Sequence, residues 1–130
     1  MEQEVSRDRI YSSFNDKEGD QMAKYLVTGG AGFIGSNIVE GLVKRGEDVR
    51  VLDDMSTGKE ENLAPFMDSI DFRKGDIRKK EDMLTALDGV ELVIHQAALR
   101  SVPKSVEIPF ATNDVNVNGT LNLLLCARDQ

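Results

Sequence analysis

The run Thr28-Gly-Gly-Ala-Gly-Phe-Ile-Gly35 constrains the fold of this chain more than any other stretch, because apolar Tyr25-Leu-Val27 leads into it and an amphipathic segment leads out. Glycine has no Cβ and reaches backbone conformations that other residues avoid. Such a run between an apolar strand and a helix therefore marks a tight turn where backbone approaches backbone or ligand. Gly29, Gly32 and Gly35 are spaced G-x-x-G-x-x-G, and Gly30 with the last two satisfies G-x-G-x-x-G. From Phe33 onward, Ile34, Ile38, Leu42 and Val43 recur at helical spacing, and Lys44, Arg45 and Gly46 supply a cationic last turn and a glycine stop. In a strand, glycine turn and helix so joined, unpaired N–H groups and the positive end of the helix dipole face outward above the glycines, an arrangement suited to phosphate.

The remaining apolar segments predict what this unit packs into. Val49 to Asp53 reads as a second strand, Ile70 to Lys74 as a third with alternating polarity, and Leu92 to Ile94 as a fourth, fully apolar one. Lys79 to Leu87 reads as a helix with Met83, Leu84 and Leu87 on one face, stopped by Asp88-Gly89, and Pro109 to Arg128 as a helix carrying Leu121, Leu124 and Leu125. Met55 to Ser69 is the least regular crossover, interrupted by Pro65. Strands alternating with helices imply an α/β fold: a Rossmann-like, doubly wound parallel sheet, here truncated after about four strands in the order 3-2-1-4. The alternating third strand belongs near an edge. Residues 23–130 form this domain. Residues 1–22 read as a disordered or extra tail, since Met1 to Gln21 carry six acidic and three basic residues and little that could be buried.

Ligands of such sheets lie beyond the carboxyl ends of the strands, so the residues just after each strand carry the chemistry. Asp53 stands 18 residues past Gly35, about the distance at which an acid accepts from both adenosine-ribose hydroxyls. A carboxylate there repels a 2′-phosphate, so the expected cofactor is NAD, not NADP. After the third strand, Asp76 can accept from an adenine amino group, though such a residue on its own more often caps the following helix. After the fourth strand, the small residues of His95-Gln-Ala-Ala98 allow backbone to run against a cofactor. His95 is the sole histidine and has no Cys or His partner, so no metal site is expected; a satisfied strand-end histidine is the preferred reading.

Composition narrows the partners. The 130 residues carry a net charge of −7, which argues against nucleic acid or an anionic membrane as a partner. No apolar run suggests a membrane span, and the single cysteine, Cys126, fits a reducing cytoplasm.

Thr28-Gly-Gly-Ala-Gly-Phe-Ile-Gly35, Leu52-Asp-Asp54, Gly75-Asp-Ile-Arg78, His95-Gln-Ala-Ala98 and Asn116-Val-Asn-Gly-Thr120 resemble, in this order and spacing, the extended short-chain dehydrogenase/reductase family. Within it the chain is most similar to NAD-dependent nucleotide-sugar epimerases acting on UDP-glucose or UDP-N-acetylglucosamine, and His95 to Ser105 points to the N-acetylhexosamine branch. The resemblance implies that Gly29, Gly32, Phe33, Ile34 and Gly35 surround the pyrophosphate, and that Asp53, with Asp54, Ser56, Thr57 and Gly58 around it, holds the adenosine ribose. It further implies that Asp76 and Ile77 hold adenine, that Gln96, Ala97, Ala98 and Arg100 line the route to the nicotinamide ribose, that Asn116 braces that loop, and that Ser101 approaches the sugar. Relatives carry lysine or a small residue where Arg100 stands. The family's catalysis takes hydride from sugar C4 to NAD and returns it to the other face, with a Tyr-x-x-x-Lys pair handling the proton. Tyr11 and Tyr25 are the only tyrosines and neither has Lys four residues on, so no catalytic residue is assigned.

The expectation is therefore the NAD-binding, amino-terminal portion of a nucleotide-sugar 4-epimerase, lacking the catalytic and sugar-binding part and inactive alone. The alternatives are a fragment of a nucleotide-sugar 4,6-dehydratase or a non-catalytic NAD-binding regulatory module. A UDP-sugar is the expected partner of the complete enzyme, and a homodimer through helix 109–128 is implied by the resemblance.

Overall fold

The computed structural model describes residues 24–130. The tail expected over 1–22 lies outside the described residues. Strand β1, Lys24–Thr28, enters the glycine turn, and α1, Phe33–Lys44, leaves it. Then come β2, Asp48–Asp53; the short helix α2, Glu60–Leu63, continued as a 3₁₀ segment, Ala64–Ser69; β3, Ile70–Lys74; α3, Lys80–Leu87; and β4, Leu92–His95. Two short helices, α4 (Val102–Glu107) and α5 (Pro109–Asn113), precede a π-helical segment, Asp114–Gly119, and α6, Thr120–Arg128.

The four strands are parallel in the order β3-β2-β1-β4. The expected order and the edge position of β3 are both observed. Thr28 pairs with Leu52 on one side and His95 on the other, so the carboxyl ends of β1, β2 and β4 finish level. The chain winds outward from β1 to β3, then returns to the far side of β1. The reversal opens a crevice between the carboxyl ends of β1 and β4.

Alternation along the strands builds two cores. Val27, Val49 and Val51 meet Val39 and Leu42 of α1 and Leu63 of α2 on one face. Leu26 and Leu52 meet Met83, Ala86 and Leu87 of α3 and Leu123 and Cys126 of α6 on the other. Both faces of the inner strands are therefore buried, as a parallel sheet requires.

Several details differ from the sequence reading. In α3 the inward positions are Met83, Ala86 and Leu87, while Leu84 faces water, because the helix is rotated so that its i, i+3, i+4 stripe meets Leu26 and Leu52 of the sheet. In α1, Gly35, Ser36, Val39 and Leu42 face the sheet and Ile34 is exposed. The helix expected as one piece over Pro109 to Arg128 contains the π segment, and α4 precedes it. Leu121, Leu124 and Leu125 all point outward; Gly119, Leu123 and Cys126 make the inward stripe. β4 is the second edge of the sheet among the described residues, as the expected order 3-2-1-4 implies, and its side chains are only partly covered.

One buried cation went unnoticed in the sequence. Arg50, 3% exposed in β2, donates to Asp71 Oδ2 at 2.8 Å and to the carbonyls of Ala86 and Asp88, both at 2.7 Å. It thereby closes the last turn of α3, whose carbonyls have no partner within the helix.

Candidate functional site

The strand ends and the loops that follow them enclose a solvent-open cleft. Its lining draws on four separate segments: Gly29 and Gly32; Asp53, Asp54, Ser56, Thr57 and Gly58; Asp76 and Ile77; and Gln96, Ala97, Ala98 and Arg100. These stretches are far apart in sequence and meet only because the strands finish level. Leu52, Gly75, Leu99 and Val115 complete the wall, and none of them is assigned a cofactor contact from sequence.

The glycine turn is shaped by contact rather than by flexibility. Gly29 sits at φ +69°, and a Cβ on it would lie 2.6 Å from the Ala97 nitrogen, so no other residue fits where this loop crosses the post-β4 loop. A Cβ on Gly35 would fall on the Gly29 carbonyl. Close packing there brings the first turn of α1 over the end of β1. Phe33 and Ile34 turn their side chains outward, at 76% and 47% exposed, and no side chain caps the helix. The N–H groups of its first turn have no intrahelical acceptor, which leaves a cradle of donors at the positive end of the dipole. The Arg100 guanidinium reaches over this cradle, 3.6 Å from where a side chain on Gly32 would begin.

Asp53 is 8% exposed and held by backbone: Oδ2 accepts from Ala31 N–H at 3.0 Å and Oδ1 from Met55 N–H at 2.8 Å. Each oxygen keeps a lone pair for a further donor. The chain turns sharply at Met55, in the left-handed region at φ 62°. Asp54 Oδ1 accepts from both the N–H and the hydroxyl of Ser56, at 2.9 and 2.7 Å, closing this loop upon itself. From α2, Asn62 donates to the Ala31 carbonyl at 2.9 Å, a link between the second loop and the glycine turn that no motif announces.

At the other end of the cleft, Asp76 is tied to Arg78, whose Nη2 donates to Oδ2 at 2.7 Å, and Arg78 also reaches Asp114 at 3.1 Å. The Arg78 hydrogen bonds outweigh burial and hold the Asp76 carboxyl below the ordinary range; Arg78 is shifted upward in turn. Asp76 is not the cap of α3, which begins after Lys79. Asn122 donates to the Ile77 carbonyl at 2.7 Å and so pins this loop to α6.

Asn116, on the π segment, is outside the cleft lining but grips it: its Oδ1 accepts from Leu99 N–H at 2.7 Å and its Nδ2 donates to Leu99 C=O at 2.8 Å. Ser101 also lies outside the lining; it caps α4, accepting from Lys104 N–H at 3.3 Å. His95 is a satisfied strand-end residue, with Nδ1 at 2.6 Å from Thr28 Oγ1 and Nε2 at 2.9 Å from Thr120 Oγ1. Burial lowers its pKa from the ordinary 6.5. Among the described residues no cluster of His, Cys, Asp or Glu could hold a metal ion, and no helix is long and apolar enough to cross a membrane.

A sheet of this order, with a glycine turn beneath an uncapped helix start and an acid at the end of the second strand, is a Rossmann-like nucleotide-binding domain. The chain belongs to the extended short-chain dehydrogenase/reductase family of nucleotide-sugar epimerases and dehydratases; residues 26–130 match the family model described as GDP-mannose 4,6 dehydratase. The UDP-glucose 4-epimerase of Klebsiella pneumoniae is 39% identical over 112 residues, covering 81% of this chain and 80% of that one. The Thermus thermophilus UDP-glucose 4-epimerase, solved in complex with NAD, is 47% identical with a TM-score of 0.76, over 82% of this chain and 34% of that one. The dTDP-glucose 4,6-dehydratase DesIV of Streptomyces venezuelae, solved with NAD and TYD bound, is 39% identical with a TM-score of 0.76, over 82% of this chain and 36% of that one. The chain spans about a third of the length of these two solved structures and of several curated relatives.

Proposed function

We propose that these residues are the NAD-binding portion of a nucleotide-sugar 4-epimerase, in which hydride leaves and returns at C4 of a UDP-sugar. One observation carries the reading: the carboxylate of Asp53, preset by two backbone donors, lines the same cleft as the glycine turn below the uncapped start of α1. A dinucleotide fits the residues present. Gly29, Gly32 and the N–H groups of Phe33, Ile34 and Gly35, with Arg100 above them, would hold the pyrophosphate. Asp53, beside Asp54, Ser56, Thr57 and Gly58, would accept from the adenosine ribose. Asp76 and Ile77 would flank adenine, and Gln96, Ala97 and Ala98 would line the nicotinamide side of a loop braced by Asn116. Ser101, at the far end of that loop, would approach the sugar.

When bound, NAD supplies the hydride acceptor and donor; this chain supplies binding and orientation. Proton transfer is not accounted for by its two tyrosines, neither of which is followed by Lys at the required spacing. A cytoplasmic location fits the lone unpaired Cys126. A second reading, a nucleotide-sugar 4,6-dehydratase, is favoured by the description of the matching family model and by the similarity to DesIV.

Titration calorimetry of the 130-residue chain with NAD and then NADP tests the cofactor reading. Binding of NAD with clear preference over NADP is expected. No binding, or equal affinity for the two, would overturn it.

A further inference from the structure

Thr28, His95 and Thr120 form a chain of hydrogen bonds in which each proton has one available place. The Thr28 hydroxyl oxygen, fully buried at the end of β1, accepts from the N–H groups of Gln96 at 3.1 Å and Ala97 at 3.2 Å. A hydroxyl has two lone pairs and one proton. With both lone pairs used, the Thr28 proton goes to His95 Nδ1, 2.6 Å away. On the other side the Thr120 hydroxyl donates to the Asn116 carbonyl at 2.7 Å, so it accepts from His95 Nε2–H at 2.9 Å. The ring is held as the neutral Nε2–H tautomer by what its neighbours can offer.

This places the ring at the joint of three elements: the end of β1 where the glycine turn begins, the post-β4 loop that lines the cleft, and the π segment whose Asn116 clasps Leu99. We propose that His95 is a positioning residue: as the Nε2–H tautomer it holds the 96–100 loop in the shape that receives the dinucleotide, and a second proton on the ring releases it. The role rests on the dinucleotide reading of the cleft.

The release follows from the count of lone pairs. A proton on Nδ1 would face the Thr28 oxygen, whose lone pairs are filled. Gln96 N–H also has the Thr28 carbonyl at 3.0 Å, so it can yield. Ala97 N–H has only the hydroxyl and loses its acceptor if displaced. No neighbouring charge is bonded to the ring to stabilise the second proton. The described ionisable side chains on the surrounding elements are Tyr25 on β1, Lys80, Glu81 and Asp82 on α3, Arg100 in the loop, Asp114 on the π segment, and Cys126 and Arg128 on α6. Asp82 accepts from Asp76 N–H, Asp114 is paired with Arg78, Cys126 bonds Asn122, and Arg128 bonds Asp129.

Because His95 is the sole histidine, long-range ¹H–¹⁵N spectra of the full chain read its tautomer and titration without assignment ambiguity. The expected result is the Nε2–H tautomer, with the amides of Ala97 and Leu99 shifting at the midpoint of the ring. NAD affinity by calorimetry should fall about tenfold across that midpoint, and His95→Gln should flatten the profile. At about pH 8, Thr120→Val should weaken NAD about fivefold and Thr120→Ser should not, since only the latter keeps the hydroxyl. An Nδ1–H tautomer, a ring titration that leaves both amides unmoved, or an unchanged pH profile in His95→Gln would overturn the proposal. If the amides follow the ring but no NAD binds at any pH, the hold of His95 on the loop stands and the dinucleotide reading falls.

Discussion

Asn116 grips Leu99 by both of its main-chain polar groups, accepting its N–H at 2.7 Å and donating to its carbonyl at 2.8 Å. A carboxamide is the side chain that can do both from one planar group. Asn116→Asp removes the donor and sets a carboxylate oxygen against the Leu99 carbonyl. A loss of roughly 1–3 kcal/mol in chemical denaturation is expected, together with weaker NAD binding because the loop from Gln96 to Arg100 loses its brace. Unchanged affinity in a folded Asn116→Asp variant would separate Asn116 from the site.

Asp53 sets the cofactor preference through its charge. Asp53→Asn keeps one oxygen for the backbone donors while removing the charge a 2′-phosphate would meet. NAD affinity should drop by roughly 1.5–3 kcal/mol if a charge-assisted bond to ribose is lost, and the discrimination against NADP should shrink. Competitive titration with both dinucleotides reads the two effects separately.

Two glycines of α1 answer the same substitution with opposite signs. A Cβ at Gly41 meets nothing within 4 Å, so Gly41→Ala should stabilise the helix by roughly 0.5–1 kcal/mol and raise the melting temperature. At Gly35 the added methyl would strike the Gly29 carbonyl, so Gly35→Ala must push α1 off the turn. Its melting temperature should fall, and NAD binding should be lost with it.

Acid should weaken the fold partly through Asp71. Burial alone would raise its pKa, but hydrogen bonds from Arg50 and Arg73 outweigh burial and hold it below 3.8. The unfolded chain therefore binds this proton first on acidification. The stabilisation is complete above about pH 3.8 and is lost as pH falls through the lower folded value. Arg50→Ala should reduce that dependence, leaving the part due to Arg73, and cost roughly 3 kcal/mol, the low end for a broken buried pair, since the Asp71 side chain is 39% exposed and water can replace its partner. Thermal melts of both proteins as a function of pH measure the difference.

The outward leucines of α6 test association. Leu124 is 59% exposed and belongs to neither core, so Leu124→Asp should leave the melting temperature nearly unchanged. If two copies pair through 109–128, the variant should show a lower mass by light scattering across a concentration series. Equal mass for parent and variant would take Leu124 out of any interface.

The strand, glycine turn and helix around Gly29 to Gly35 and the acid at Asp53 were legible in the sequence, because each depends on local spacing: a period of two or 3.6, a missing Cβ, a count of residues between motifs; the strand order followed from the fold class that this alternation implies. The same local pattern misassigned Leu84 in α3 and left open which residues of α6 turn inward. Leu84, Leu121, Leu124 and Leu125 are apolar yet turn to water, while Ala86 and Cys126 turn inward, because helix rotation is set by the sheet beneath it. Arg50 shows why propensity cannot find such residues: an arginine in a central strand is tolerated only where a carboxylate and two helix-end carbonyls arrive from 21, 36 and 38 residues away. The bonds joining Thr28 to His95 and Thr120, Asn62 to Ala31, and Asn116 to Leu99 are likewise long-range. Sequence spacing named the residues that could meet a dinucleotide; only tertiary packing decided which neighbours hold them in place, because a hydrogen bond is set by distance and angle between groups that the chain brings together after folding.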